Sequence, residues 1–178
     1  MKKGIICYSS KYGSAKKYAK WLQEALAYDC RDLKSIKATE LQNYETVVLC
    51  GGIYASGIKG ISFLKKHASQ LTHQRIAVFC VGASPYDPQA FAQLKQNNGK
   101  DLRKDIRIFY GRGAWDESKM TLVDRKLCHI LQKVIAKKDP DTYEPWMKAL
   151  MEARGQSKDW CDKQYLLPLI TYLEQTKL

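Results

Sequence analysis

The chain has 178 residues, 45% of them hydrophobic, which predicts one domain over residues 1–178 with a substantial core. No apolar run is long enough to span a bilayer, and the apolar segment after Lys2 and Lys3 is too short for a signal peptide, so we expect a cytoplasmic protein. The formal net charge of +12 predicts attraction to anions such as nucleic acid, anionic lipid or an acidic small molecule. The sequence carries no nucleic-acid-binding motif, so we expect no nucleic-acid partner.

The six cysteines do not form a recognisable framework. Cys7, Cys50 and Cys80 lie in or at the ends of apolar segments, and the other three are scattered. There is no C-x-x-C pair and no Cys/His spacing typical of zinc, so we predict reduced, mostly buried thiols and no metal site.

The first 26 residues predict a strand, a tight loop and a helix. The apolar run that begins at Ile5 is typical of a buried parallel strand, and Ser14 is a good helix N-cap before an amphipathic pattern. The loop between them is rich in hydroxyls and contains Gly13, so it can direct backbone N–H groups and Ser hydroxyls at one point, in front of a helix dipole. This arrangement suits a phosphate monoester. The alternative is an ordinary strand-to-helix turn with incidental serines.

The next part of the chain alternates strand and helix patterns. Further strands are predicted at 29–32, 46–50, 75–81 and 106–110. Asp87 and Pro88 are typical of a helix start after the fourth strand. Strands that alternate with helices predict a parallel sheet covered by helices on both faces.

Three more helices are predicted after the fifth strand. An amphipathic helix from Met120 to Val134 is followed by a short helix near 143–153 and a last helix capped by Asp159, in which Pro168 predicts a kink or a late start. The first of these helices and the loop before it could place a basic face beside Trp115, or that face is simply a solvated surface. The residues of this basic face are Arg112, Lys119, Arg125, Lys126 and Lys133.

Small residues follow four of the predicted strands. Gly13 follows the first strand, Gly51 and Gly52 end the third, Gly82 follows the fourth, and the loop 111–115 with its two glycines follows the fifth. In open α/β sheets ligands bind outside the carboxyl ends of the strands, where the strand order reverses. These loops therefore predict a binding site at one edge of the sheet.

The loop sequence Ser9-Ser10-Lys11-Tyr12-Gly13 resembles the phosphate loop of flavodoxins, and in particular the Ser-Thr-Arg-x-Gly loop of the flavodoxin-like bacterial protoporphyrinogen oxidases. The stretch from Phe63 to Ala68 is similar to a helix of the same group. Ala15 departs from the pattern, because the group usually has Thr there. The resemblance implies an α/β flavodoxin-like three-layer sandwich with a five-stranded parallel sheet in the order 2-1-3-4-5 and extra C-terminal helices.

The resemblance also implies bound FMN. Tyr54 is the candidate for stacking on the isoalloxazine ring, or else it is a solvent-facing loop residue. Tyr86 is a candidate for the other ring face, or else an ordinary residue before a helix. Lys11 is either a phosphate partner or a surface lysine. The predicted FMN-binding residues are Ser9, Ser10, Lys11, Tyr12, Gly13, Ser14, Gly51, Gly52, Ile53, Tyr54, Gly82, Ala83, Ser84 and Tyr86.

Three functions are compatible with this resemblance. The first is an FMN-dependent oxidoreductase that oxidises protoporphyrinogen and passes electrons to a quinone, with peripheral contact at the inner face of the membrane. The second is a flavodoxin-type electron carrier that needs a redox partner protein and has no substrate of its own. The third is an interaction domain that has lost FMN, supported only by Ala15. The basic charge favours the first, because a positive field stabilises anionic reduced flavin. No side chain stands out as a catalytic acid or base.

Overall fold

The computed structural model describes residues 1–175. The strands are β1 (Lys2–Ser9), β2 (Asp29–Asp32), β3 (Tyr44–Tyr54), β4 (Gly57–Ile58), β5 (Arg75–Gly82), β6 (Arg107–Arg112), β7 (Ala114–Asp116) and β8 (Ser157–Asp159). The α-helices are α1 (Ser14–Leu26), α2 (Ala38–Leu41), α3 (Ile61–Lys66), α4 (Pro88–Gly99), α5 (Leu122–Ile135), α6 (Pro145–Glu152) and α7 (Leu167–Glu174).

Five strands form the main sheet in the order β2-β1-β3-β5-β6, and all of these neighbours pair in parallel. This confirms the predicted order 2-1-3-4-5, since β5 and β6 are the fourth and fifth predicted strands. In the β1–β3 register Ile5 lies opposite Val47 and Ser9 lies opposite Gly51. The carboxyl ends of the two central strands, and the loops that follow them, therefore meet at one edge.

The sheet is buried on both faces, as an apolar parallel strand requires. Along β1, Ile5 and Cys7 pack into one core and Ile6 packs into the other. The helices α1 and α7 cover one face, and α2, α3 and α4 cover the opposite face. The predicted three-layer architecture is thus confirmed.

The chain leaves the sheet after β6 and returns before α7. The strands β7 and β8 pair antiparallel, with Ala114 opposite Asp159, and close a unit that contains α5 and α6. This unit has a small core of its own, formed by Ile135, Met147 and Leu150 with Trp115 packed against them. The sequence predicted its two helices but not the strand pair, because three-residue strands are too short to show a period.

Two predicted helix caps are wrong. Gly13, not Ser14, is the N-cap of α1, with φ 98° and ψ −26°, and the Ser14 Oγ accepts a hydrogen bond from the Ala114 N–H instead. Asp159 ends β8 and forms an ion pair with Lys17, and the 3₁₀ turn before α7 is capped by the Asp162 side chain. The helix α7 begins at Leu167, which is the late start that Pro168 predicted.

All six cysteines are free thiols. Burial raises the pKa of Cys7 and of Cys80 to about 12 and raises the pKa of Cys50 as well, so these thiols stay protonated at neutral pH. None of the helices within residues 1–175 is long and apolar enough to cross a bilayer.

Candidate functional site

The loop between β1 and α1 exposes the N-terminus of a 13-residue helix. The first N–H groups of a helix have no intrahelical acceptor, and here no side chain of the N-cap residue Gly13 can accept from them. The Gly13 N–H itself donates to the Ser10 Oγ at 3.1 Å, which holds the loop closed. The space beside Gly13 is open, since a Cβ placed there would meet no other group within 4 Å. The loop therefore offers free donors and a positive dipole to an anion.

A cleft of about 90 Å³ lies between this loop and the ends of β3 and β5. Eight of the predicted site residues line it: Ser10, Lys11, Tyr12, Ser14, Gly52, Ile53, Tyr54 and Gly82. Five residues that were not predicted complete the lining: Ala15, Lys59, Val81, Gly113 and Ala114. Gly113 connects β6 to β7 and Ala114 begins β7, so the last two belong to the loop after the fifth predicted strand, which the sequence placed at this edge.

The other predicted residues lie outside the lining of the cleft. Ser9 and Gly51 face each other across β1 and β3, and a Cβ on Gly51 would come within 2.3 Å of the Lys59 carbonyl oxygen. The carbonyl of Ala83 accepts a hydrogen bond from the Arg112 Nε, and the carbonyl of Ser84 accepts one from the Tyr110 hydroxyl of β6.

Tyr86 also lies outside the cleft. Its ring packs against Phe91 and Tyr110, with centroids 5.5 Å and 5.9 Å away, and is 52% exposed. It lines a different cavity of about 520 Å³ beside β6. A role for Tyr86 at the second face of a bound ring stays a prediction.

Tyr54 is carried by a hairpin rather than by the predicted glycine loop. The strand β3 continues to Tyr54, turns at Ala55 and Ser56, and returns as β4. Both turn residues have positive φ, 46° and 64°, as a type I′ turn requires, although neither is glycine or asparagine. Such conformations cost free energy and persist where the surroundings hold them in place.

The side chain of Asn98, at the end of α4, holds this hairpin. It is only 4% exposed. Its Oδ1 accepts from the Ile58 N–H, and its Nδ2 donates to the carbonyls of Ser56 and Leu94, each at 2.9 Å. Asn98 therefore fixes both the turn and β4 against the body of the protein.

Replacing Asn98 with alanine should lower the free energy of unfolding by about 1–3 kcal/mol, because it leaves the buried Ile58 N–H without its acceptor. Urea denaturation of the two proteins measures this difference. Asn97→Ala is the matched control, since Asn97 lies next to it on α4 but is exposed. Equal effects of the two substitutions would contradict the assigned role.

A carboxylate from α5 reaches the loop. Asp124 is 6% exposed, and its Oδ2 accepts from the Lys11 ammonium and the Tyr12 hydroxyl. Its Oδ1 accepts from the Tyr54 hydroxyl at 2.7 Å. The Thr121 Oγ caps the same turn by accepting from the Asp124 N–H at 3.2 Å. We call the contact of Asp124 with Lys11, Tyr12 and Tyr54 the Asp124 latch.

The latch shifts the pKa values of Asp124, Lys11 and Tyr54. The hydrogen bonds from Lys11, Tyr12 and Tyr54 hold the pKa of Asp124 well below its usual range. The same contact raises the pKa of Lys11 and of Tyr54 above their ordinary values. Lysine is thus charged and aspartate ionised across the neutral pH range, and the latch is an ion pair reinforced by two hydroxyls.

Two cations lie near the ring of Tyr54. The Lys11 Nζ is 4.7 Å from the ring centroid, and the Lys59 Nζ is 5.6 Å from it. Lys11 is therefore neither free for phosphate nor a plain surface lysine in this structure, because its ammonium is paired with Asp124. Asp124 was not predicted from the sequence, because the residues around it do not distinguish it from any acidic residue in the first turn of a helix.

The sequence model described as "Flavodoxin domain" matches residues 5–143, well over half of the chain. The chain belongs to the flavodoxin domain family. The match covers the main sheet and the Asp124 latch, and it ends near the start of α6. The match does not test the resemblance to the protoporphyrinogen oxidase group, which stays a prediction.

Several solved structures are similar to this chain at low identity and with TM-scores below 0.5. Flavodoxin from Megasphaera elsdenii, in its two-electron reduced form, is 12% identical over 60% of this chain and 84% of its own, with a TM-score of 0.48. A flavoprotein in complex with FMN from Lactobacillus acidophilus is 16% identical over 70% of this chain and 98% of its own, with a TM-score of 0.41. The Trp repressor binding protein of Bacillus subtilis is 16% identical over 63% of this chain and 84% of its own, with a TM-score of 0.42. No curated protein matches the sequence.

Proposed function

We propose that this chain is a single-domain oxidoreductase that binds FMN, with the phosphate at the loop between β1 and α1. The observation that carries the proposal is the uncapped N-terminus of α1 behind Gly13, with the Lys11 ammonium beside it. Membership of the flavodoxin domain family supports the same choice of ligand. When bound, FMN would supply the electron transfer, so the protein needs only to bind and orient it.

The residues present fit the two ends of FMN unequally. The phosphate end finds helix N–H groups and the Ser10 hydroxyl, and it gains the Lys11 ammonium only by displacing Asp124 from it. Ala15 adds a methyl group instead of a hydroxyl and is 2% exposed. The ring end has the cleft of about 90 Å³ that Tyr54 and the ends of β3 and β5 line.

For the reaction we propose oxidation of an acidic substrate, with protoporphyrinogen as the candidate and a quinone as the electron acceptor. The support is electrostatic: the net charge is +12, and Lys11 and Lys59 flank Tyr54. Cations near a flavin stabilise its anionic reduced form and favour electron uptake from a substrate. A carrier function is the second candidate, because Tyr54 is 44% exposed and leaves the hairpin accessible to a redox partner.

The basic face predicted beside Trp115 does not offer all of its charges to a substrate. The guanidinium of Arg112 donates to the Ala83 carbonyl and stacks at 3.9 Å on the Trp160 ring. The guanidinium of Arg125 donates to the carbonyls of residues 117, 118 and 120. Both arginines hold loops in place but keep their charge, because their acceptors are neutral carbonyls, whereas Lys119 is paired with Asp116 at 3.0 Å.

The FMN proposal predicts a yellow protein that releases FMN, not FAD, on denaturation. The decisive measurement is titration of the cofactor-free protein with FMN and, as the matched control, with riboflavin, which lacks the phosphate. We expect FMN to bind at least about 100-fold more tightly, because the loop contributes charge-assisted hydrogen bonds only to the phosphate. Protein that is colourless and takes up no FMN would refute the proposal.

The substrate proposal is tested on FMN-loaded protein. We expect oxidation of protoporphyrinogen with a quinone analogue at low salt, and slower turnover as salt screens the lysines. Loaded protein that does not oxidise protoporphyrinogen but exchanges electrons rapidly with a flavodoxin reductase would favour the carrier function instead.

A further inference from the structure

The helix α5 turns its apolar side toward solvent. Its buried positions include two polar residues, Asp124 and Gln132, together with Ile135. The exposed side carries apolar residues at helical spacing, between 40% and 67% exposed, which we call the α5 stripe: Val123, Leu127, Ile130, Leu131 and Val134. Residues three and four apart share one face of a helix, so the stripe is continuous. An amphipathic helix normally buries this side.

The rest of the described chain leaves the stripe uncovered. The helix packs against α6 through the buried Ile135, which lies beside the stripe and meets Met147 and Leu150. The two faces of the main sheet are already covered by other helices. A contiguous exposed apolar patch of this kind marks an interaction surface.

The charges around the stripe select its partner. Lys126 and Lys133 are exposed on the helix beside the stripe, and Lys137 and Lys138 follow its end. Within residues 122–138 the single acidic side chain is Asp124, and it faces inward onto Lys11. Two copies joined through this face would bring these lysines together, which disfavours self-association.

We propose that α5 docks in the plane of an anionic membrane surface, with the α5 stripe in the interfacial region and the lysines at the lipid headgroups. Interfacial helices combine an apolar side with lysines next to it, and each lysine near an anionic surface adds attraction. The inward-facing Asp124 of the same helix lies at the candidate FMN loop. Docking would therefore bring that loop close to the membrane, whether or not FMN is bound.

The test is co-sedimentation of the full chain with vesicles of phosphatidylcholine alone and of phosphatidylcholine with phosphatidylglycerol at about 2:1. We expect binding to the anionic vesicles at low salt and little binding to the neutral ones. The double variant Leu127→Gln/Ile130→Gln should weaken binding about tenfold or more, because it removes apolar side chains from the interface. Lys126→Gln/Lys133→Gln should weaken it about tenfold on anionic vesicles only.

Leu167→Gln is the matched control, since Leu167 is 59% exposed on α7, away from the stripe, and should leave binding unchanged. Hydrogen exchange of the unaltered protein gives a second readout, in which anionic vesicles should protect residues 122–135. The proposal is overturned if the protein ignores anionic vesicles at low salt or if the leucine and isoleucine substitutions have no effect. A solution dimer that the same double variant dissociates would assign the stripe to a second copy instead.

Discussion

Replacing Gly13 with valine should lower FMN affinity by about 100-fold or more, the largest effect expected of any single substitution. Gly13 has φ 98°, a conformation that a β-branched residue adopts only with strain. A valine would either distort the loop or project into the open space beside the first N–H groups of α1. Either outcome removes charge-assisted hydrogen bonds to the phosphate, each worth about 1.5–3 kcal/mol. Fluorescence titration with FMN measures the loss.

The matched control is Gly155→Val. Gly155 also has positive φ, 69°, and open space around its Cα, but it lies after α6, away from the loop. Both substitutions should reduce stability by about 1–3 kcal/mol through backbone strain, and only Gly13→Val should reduce FMN affinity. An unchanged affinity in folded Gly13→Val protein would mean that phosphate binds elsewhere.

Replacing Asp124 with asparagine should raise FMN affinity about tenfold, because a carboxylate at the loop repels a phosphate and competes with it for cationic and hydroxyl donors. The side chain would keep its shape and could still accept from Tyr54, while the Lys11 ammonium would lose its ionic partner. Asp139→Asn is the control, since it removes the same charge from a position after α5 and asparagine also caps its turn.

The gain should not depend on pH near neutrality. The pKa of Asp124 is lowered in the folded protein, so the ionised latch is complete above the ordinary carboxyl pKa and is lost only as the pH falls through the lowered folded value. The raised pKa of Lys11 keeps that side chain charged over the same range. The ratio of FMN affinities of Asp124→Asn and unaltered protein should be constant between about pH 7 and 8, where the phosphate is a dianion, and smaller near pH 5, where the phosphate carries one charge. A lower affinity in Asp124→Asn would show that Asp124 positions Lys11 for the phosphate rather than competing with it.

The main sheet could be predicted from the sequence because its signals are local. Apolar runs such as those around Ile5 and Val47 mark buried parallel strands, and alternation with helices restricts the topology to few choices. The loop at Gly13 followed from the same reasoning, since small residues after a strand and before a helix are typical of an anion site. Even there the observed N-cap of α1 is one residue before the predicted one, because the Ser14 Oγ accepts from the Ala114 N–H across the cleft.

Contacts between distant segments were decided by the tertiary structure alone. Asp124 reaches Lys11, 113 residues away, only because β7 and β8 fold the α5–α6 unit back over the loop. The buried Asn98 and the hairpin that carries Tyr54 depend in the same way on where α4 ends. The sequence determined that α5 has an apolar stripe, since its residues repeat at helical spacing. Periodicity defines the faces of a helix but does not specify which face the rest of the chain covers, so only the packing of Ile135 against α6 left the stripe exposed.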